Sequence, residues 1–167
     1  MKFKCLFILP FLVASLQAAS VDDLTFSTSF RGFVRVTDCN QSASGSLEIP
    51  STYNGLPVTT IRRYAFSGCS SLTSITIPDS VISIEQNAFR DCSSLSNITI
   101  PDGVTLIEWE VFYNCTSLTS ITMPDSVTYI EGLAFFGCPL DYTETVNSLQ
   151  YLISSSGNTA FLINGST

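Results

Sequence analysis

A period of 23 residues recurs through the middle of the chain and limits its fold more than any other feature. Several residue types keep this step over three or four periods. The recurring columns are Cys69, Cys92, Cys115 and Cys138; Phe66, Phe89, Phe112 and Phe135; Ile75, Ile98 and Ile121; and Val81, Val104 and Val127. One period cannot bury its own apolar side, so equal periods must stack into a solenoid in which like residues lie above like.

Each period divides into a strand and a turn-rich segment. Residues 72–77 end in the apolar/polar alternation of a half-buried strand, and Pro78, which has no N–H to donate to a ladder, follows at once. The next apolar positions, such as Val81 and Ile84, step by three or four, as in a short helical or 3₁₀ turn. We therefore expect a parallel β-sheet on one face, with strands about 4.8 Å apart, and turns or 3₁₀ or helical segments on the other.

The repeat Cys-x-x-Leu-x-x-Ile-x-Ile-Pro-x-x-Val-x-x-Ile-x-x-x-Ala-Phe resembles the BspA-like, or Treponema pallidum-type, leucine-rich repeat across residues 45–138. This resemblance implies an α/β solenoid, a right-handed stack of leucine-rich repeat coils. It also implies adhesion, or binding of host, matrix or neighbouring-cell proteins at a cell surface. Many members carry Gly after the Ile of Val-x-x-Ile; this chain differs there, with Arg62, Glu85, Glu108 and Glu131.

The N-terminus is typical of a secretory signal peptide, which we predict over residues 1–18. Lys2 and Lys4 form a basic start, an apolar run of about twelve residues follows, and small residues surround Ala18. A membrane anchor is the alternative, but the run is shorter than the roughly twenty residues that span a bilayer. The mature chain is therefore expected to be secreted or at the cell surface, without a membrane span.

Short alternating strands flank the repeats on both sides. Residues 19–44 are predicted to cap the first coil with a β-hairpin, because an uncovered edge strand invites aggregation. Residues 139–167 again alternate, and are expected to form a C-terminal cap or the start of a second, truncated repeat block. Between the cap and the first full coil, Asn54-Gly55 is a turn pair and predicts a protruding loop.

Composition argues against several classes of function. The chain contains no His, which removes His-based triads and His-ligated zinc, and its net charge is −7. Nucleic acid requires a basic patch, so we expect no nucleic-acid partner. We predict no enzyme activity and no cofactor; a hydrolase appended to the repeats is the less favoured alternative.

Five cysteines remain after the predicted cleavage: Cys39 and the column Cys69, Cys92, Cys115 and Cys138. Stacked cysteines project in the same direction, and the torsion of a disulfide disfavours that arrangement. Buried free thiols are the favoured interpretation, with disulfides as the second and metal binding as the third. The odd number leaves at least one thiol free or paired between chains.

Two features are candidate contacts for a partner. The first is the outward side of the strands, comprising Ser74, Thr76, Asn97, Thr99, Ser120 and Thr122. It is either a solvated hydroxyl ladder, a recognition face for protein or glycan, or, least favoured, an ice-binding array. The second is Trp109, which is either an exposed contact residue or a cover over the turn. Glu85, Glu108 and Glu131 should stack as an acidic ladder, which is either a solvated face or a weak Ca²⁺ site.

The sequence thus predicts a secreted or cell-surface solenoid that acts as a non-enzymatic interaction or adhesion module. Its partner would be a protein or glycan at a cell surface or in the matrix. The competing hypothesis is a structural spacer, or a truncated fragment with no independent activity.

Overall fold

A computed structural model describes residues 18–140 throughout, together with the backbone of strands at 145–146, 149–153 and 160–164. The predicted signal peptide lies outside the described residues except for Ala18. Most of the segment predicted as a C-terminal cap or second repeat block also lies outside them.

The described chain is built from short strands joined by turns. In chain order they are β1 (Leu24–Thr28), β2 (Val34–Cys39), β3 (Gly45–Glu48), β4 (Thr52–Tyr53), β5 (Leu56–Ile61), β6 (Leu72–Thr76), β7 (Ser83–Ile84), β8 (Asn97–Thr99), β9 (Leu106–Ile107), β10 (Ser120–Thr122), β11 (Tyr129–Ile130), β12 (Thr145–Val146), β13 (Leu149–Ile153) and β14 (Ala160–Asn164).

The principal sheet contains one strand from each coil, in the order β10-β8-β6-β3, and every pair is parallel. Its register places equivalent repeat positions side by side: Ile75 lies opposite Ile98, and Ile98 lies opposite Ile121. The strands β6, β8 and β10 each end two residues before a Pro, in agreement with the role expected of that residue. The chain is therefore a parallel β-solenoid of about four coils.

A second line of short strands forms where the sequence predicted helical or 3₁₀ turns. β7 pairs in parallel with β5, and β11 pairs in parallel with β9. The backbone N–H of Glu85 donates to the carbonyl of Ile61 one coil earlier, at 2.9 Å, instead of to a carbonyl within its own coil. Within the described residues the only helical element is a 3₁₀ turn at Val21–Asp23, outside the coils. The α/β class and the helical face are thus not confirmed, since β-branched residues three apart extend and pair between coils.

The turns that close each coil use a left-handed backbone at two repeat positions. The first position comprises Tyr64, Asn87, Glu110 and Leu133, with φ between 55° and 62°. The second comprises Gly68, Asp91, Asn114 and Gly137, with φ between 59° and 79°. A left-handed residue reverses the chain sharply, which allows a coil of 23 residues to close.

The core is a set of columns that run along the solenoid. Phe66, Phe89, Phe112 and Phe135 stack with ring centroids 5.1–5.3 Å apart. The Leu, Ile, Val and Cys columns surround them, and most of their side chains are less than 5% exposed. The apolar side chains of each coil are therefore buried against those of the neighbouring coils.

The N-terminal segment forms an antiparallel hairpin of β1 and β2, and β2 joins the solenoid by pairing in parallel with β5. Next to it, β4 and β5 form a second hairpin through Asn54 and Gly55, whose φ values of 52° and 77° are those of a tight turn. Beyond residue 140, β13 pairs antiparallel with β12 and with β14.

Candidate interaction faces of the solenoid

The outward side of the principal sheet carries the six residues predicted as a binding face. Thr76, Asn97, Thr99, Ser120 and Thr122 are exposed and Ser74 is half-buried. The parallel register brings them into two adjoining columns. One column runs through Ser46, Ser74, Asn97 and Ser120, and the other contains Glu48, Thr76, Thr99 and Thr122.

The hydroxyl groups of this face are not engaged by the protein. Within residues 18–140, the side chains of Ser74, Thr76, Thr99, Ser120 and Thr122 make no hydrogen bond. The hydroxyls of Ser96 and Thr119, which directly precede β8 and β10, do form hydrogen bonds. Ser96 Oγ donates to the carbonyl of Thr73 at 3.2 Å, and Thr119 Oγ1 donates to the carbonyl of Ser96 at 3.5 Å. Hydroxyls at the margin of the sheet thus bond to the backbone of the preceding coil, while the hydroxyls of its exposed face remain open to solvent.

The acidic ladder has a structural role that the sequence did not indicate. Each carboxylate accepts a hydrogen bond from a backbone N–H of the preceding coil. The pairs are Glu85 with Arg63 (3.1 Å), Glu108 with Gln86 (2.9 Å) and Glu131 with Trp109 (2.8 Å). The recurrence of Glu after Ile was the available signal, but spacing alone does not show which amides lack a backbone partner.

Charge on this ladder is only partly balanced. Arg62, at the end of the column, forms an ion pair with Glu85, with Nε and Oε2 3.3 Å apart. Burial, together with the charges of Glu85 and Glu131, raises the pKa of Glu108, and the hydrogen bond from Gln86 opposes this shift. Glu108 therefore accepts the Gln86 amide at an electrostatic cost.

A second cluster of charged and aromatic side chains lies along the turns. Arg90 forms an ion pair with Glu110, and its guanidinium lies 4.3 Å from the ring centroid of Tyr113. Tyr113 in turn stacks on Phe136 with centroids 5.0 Å apart. These contacts cross three coils and bind their turns together.

Trp109 lies on the outside of its coil, with 43% of its surface exposed. Its ring covers Gly132 of the next coil so closely that a Cβ built on Gly132 would lie 3.0 Å from Trp109 Cζ3. One part of the indole therefore covers a turn, and another part is accessible to solvent. It is separate from the hydroxyl face, which lies on the principal sheet.

The cysteine column lies in the core, and all five cysteines of the described residues are free and buried. Three thiols donate to the carbonyl of a Phe one coil earlier, at 3.0–3.1 Å: Cys92 to Phe66, Cys115 to Phe89, and Cys138 to Phe112. Burial raises the pKa of the Cys92 thiol. Cys92 is therefore a poor nucleophile, and all three thiols act as small core residues.

Two further findings concern the described residues. No group of three or more Cys, Asp or Glu side chains in them has the arrangement of a metal site. None of their helices is long and apolar enough to cross a membrane.

The stacked coils, the parallel sheet and the inward Leu, Ile and Val columns define the class of this protein as a leucine-rich repeat solenoid. The family model of the BspA type leucine rich repeat region matches residues 39–162 in 6 copies, and the chain belongs to this family. The match begins before residue 45 and extends past residue 138, the limits predicted from the sequence.

Solved structures of bacterial proteins agree with this assignment. The chain is 35% identical to a leucine-rich repeat protein from Bacteroides ovatus, with a TM-score of 0.62 over 71% of this chain and 33% of that one. It is 34% identical to a leucine rich cell surface protein from Faecalibacterium prausnitzii, with a TM-score of 0.66 over 72% of this chain and 31% of that one. The chain thus spans about one third of the length of each.

A third structure, the leucine-rich repeat protein of Treponema pallidum, is 25% identical over 74% of this chain and 69% of its own, with a TM-score of 0.58. No curated protein gave a significant match. Leucine-rich repeats are in general a non-enzymatic fold.

Proposed function

We propose that this protein is a secreted or cell-surface, non-enzymatic interaction module that binds a protein or glycan through the outward side of β3, β6, β8 and β10. One observation carries the proposal: five hydroxyl groups and the Asn97 amide stand in register on a rigid sheet without hydrogen bonds that hold them to the core. Such a surface offers hydrogen bonds at little cost in ordering, because the strands that position it are already fixed.

Two observations support a location outside the cell. The N-terminal residues have the charge, length and order of a signal peptide, and the Faecalibacterium prausnitzii structure is of a cell surface protein. In this proposal residues 1–18 are removed on export, residues 19–44 cap the coils of 45–138, and residues 139–167 continue as a cap or a further block of repeats.

Binding to immobilised matrix proteins and to a glycan array tests the proposed face. Thr99→Arg places a large charged side chain in the middle of the face and should weaken saturable binding at least about tenfold. Thr105→Arg is the matched control, because Thr105 is also exposed and lies in the same coil, outside the principal sheet. Equal loss of binding in both variants would contradict the assignment of the face.

The spacer hypothesis is the alternative to this function. It predicts no saturable ligand on either array, although the folded protein would be intact by circular dichroism. Export is tested separately by the N-terminal sequence of protein recovered from the medium or envelope of a bacterial host. Cleavage near Ala18 supports export, and an intact Met1 in that fraction contradicts it.

A further inference from the structure

Cys39 and Cys69 differ from the other thiols in their positions in the fold and in their spacing along the sequence. Cys39 ends β2 in the N-terminal hairpin, whereas Cys69 lies in the turn that follows β5. They are 30 residues apart in sequence, so they do not follow the 23-residue step that makes stacked cysteines project in parallel. The geometric objection to a disulfide within the column therefore does not apply to this pair.

The two sulfurs of this pair approach the same atom, because Cys39 Sγ lies 3.7 Å and Cys69 Sγ 3.9 Å from the carbonyl oxygen of Asn40. Cys69 has no Phe carbonyl close by, unlike its equivalents in later coils. Its Sγ lies 3.8 Å from the carbonyl oxygen of Cys39 and 3.9 Å from that of Asn40, against 3.0–3.1 Å for the later thiols. Cys69 is thus the least constrained thiol of its column.

The two sulfurs differ from each other in acidity, since the pKa of Cys39 is raised and that of Cys69 is lowered. The hydrogen bond from Cys39 lowers the pKa of the Cys69 thiol and exceeds the opposing effect of burial. Burial instead raises the pKa of Cys92. A more acidic thiol exchanges with disulfides at a lower pH, so Cys69 is suited to be the attacking member of the pair.

We propose that Cys39 and Cys69 form a disulfide that ties the N-terminal hairpin to the first coil when a low-molecular-weight disulfide is present. The Cys69 thiolate attacks the small disulfide, forms a mixed disulfide and releases one small thiol. Cys39 loses its proton and attacks the Cys69 sulfur, which releases the second small thiol. Two protein thiols are oxidised and one small disulfide is reduced to two thiols, so atoms and electrons balance.

The consequence is a covalent clamp at one end of the solenoid. β1 is an edge strand, and its hairpin joins the coil ladder by the pairing of β2 with β5. A disulfide between the end of β2 and the turn after β5 would link the N-terminal hairpin covalently to the first coil. Because the pair is almost fully buried, at 2% and 0% exposure, the exchange requires local opening or occurs while the hairpin docks.

Peptide mapping of the purified full chain tests the proposal directly. The protein is incubated with oxidised glutathione, quenched with acid, alkylated and digested with trypsin without reduction. Arg35, Arg62, Arg63 and Arg90 place Cys39 in the peptide 36–62 and Cys69 in the peptide 64–90. Cys92, Cys115 and Cys138 all remain in residues 91–167, which contain no Lys or Arg. We expect 36–62 to be linked to 64–90 and three alkylated cysteines in 91–167.

Thermal unfolding provides the second readout. Oxidation should raise Tm by at least about 5 °C over the reduced protein, and reduction with dithiothreitol should reverse the shift. Cys39→Ala should abolish this redox-dependent shift. Cys92→Ala, the matched control in the same core, should keep it even if its own Tm is lower. Alkylation of both Cys39 and Cys69 after oxidation, or a link confined to residues 91–167, would overturn the proposal.

Discussion

Backbone conformation at single residues decides how tightly each coil closes. The second left-handed position is occupied by Gly68, Asp91, Asn114 and Gly137, which are the residue types that tolerate positive φ. The first position is less well matched. Asn87 suits it, but Tyr64, Glu110 and Leu133 hold φ near 60° with a Cβ that clashes with the backbone. The chain therefore stores strain at three equivalent places.

Tyr64→Asn should stabilise the protein by about 1 kcal/mol, since Asn adopts the left-handed conformation more readily than a bulky residue does. Tyr64 is 53% exposed, so little packing is lost when the ring is removed. Urea unfolding followed by circular dichroism measures the change.

Tyr64→Ala is the control for this prediction, because it removes the same ring and keeps a Cβ with no compensating side-chain hydrogen bond. Stabilisation by Tyr64→Ala as large as that by Tyr64→Asn would show that the ring, and not the backbone, is the source of the strain.

The strands and the turn segments of each coil differ in how far the sequence predicts them. Alternation before Pro78 placed β6 and its equivalents on the principal sheet, because only an extended strand turns every second side chain to the same face. The spacing of Val81 and Ile84 predicted a helical turn, yet residues three apart also fit an extended bend. The contacts that decide between these conformations are hydrogen bonds to a neighbouring coil, such as Ile82 N–H to the carbonyl of Thr59 at 2.9 Å.

The same limit applies to the candidate faces. The sequence placed Thr99 and Thr122 outward because strand residues alternate, and it placed the Glu residues in a column because they recur. It could not show that Glu108 accepts the N–H of Gln86, since that bond depends on an amide left without a partner by the turn. Periodicity thus predicts columns, and the structure shows what each column does.

Glu108, whose carboxylate accepts the backbone N–H of Gln86, should make the stability of the protein depend on pH. The pKa of Glu108 is raised in the folded protein from a reference value of 4.5. A carboxyl with a raised folded pKa contributes stability that is present below the unfolded pKa and is lost as pH rises through the folded pKa. Glu108→Gln keeps an oxygen for the Gln86 amide and removes the charge.

Glu108→Gln should therefore be more stable than the parent protein at pH 7, and the difference should shrink at pH 4. The free energy of unfolding in urea at both pH values measures this change. Glu48→Gln, which removes one exposed charge from the principal sheet, controls for net charge. A pH-independent difference between Glu108→Gln and the parent would contradict the shifted pKa.

At the scale of the whole molecule, stability is shared between nearest neighbours. Each coil buries its side chains only against the coils beside it, so the solenoid behaves approximately as a one-dimensional array. Phe89 lies between Phe66 and Phe112, with ring centroids 5.1 Å and 5.3 Å away. A substitution that destabilises one coil should therefore destabilise the two adjoining coils first, because each coil is buried mainly against its neighbours.

Phe89→Ala tests this coupling. Removal of a buried Phe should cost about 3–5 kcal/mol, and hydrogen exchange should accelerate in β6 and β10 as well as in β8. Ile98→Asp, which buries a charge in the same coil, should produce the same pattern more strongly. Thr99→Ala is the control, since Thr99 is exposed on the same strand, and it should leave exchange unchanged. Faster exchange confined to β8 in Phe89→Ala would mean that the coils fold as independent units and that the shared columns do not hold the array together.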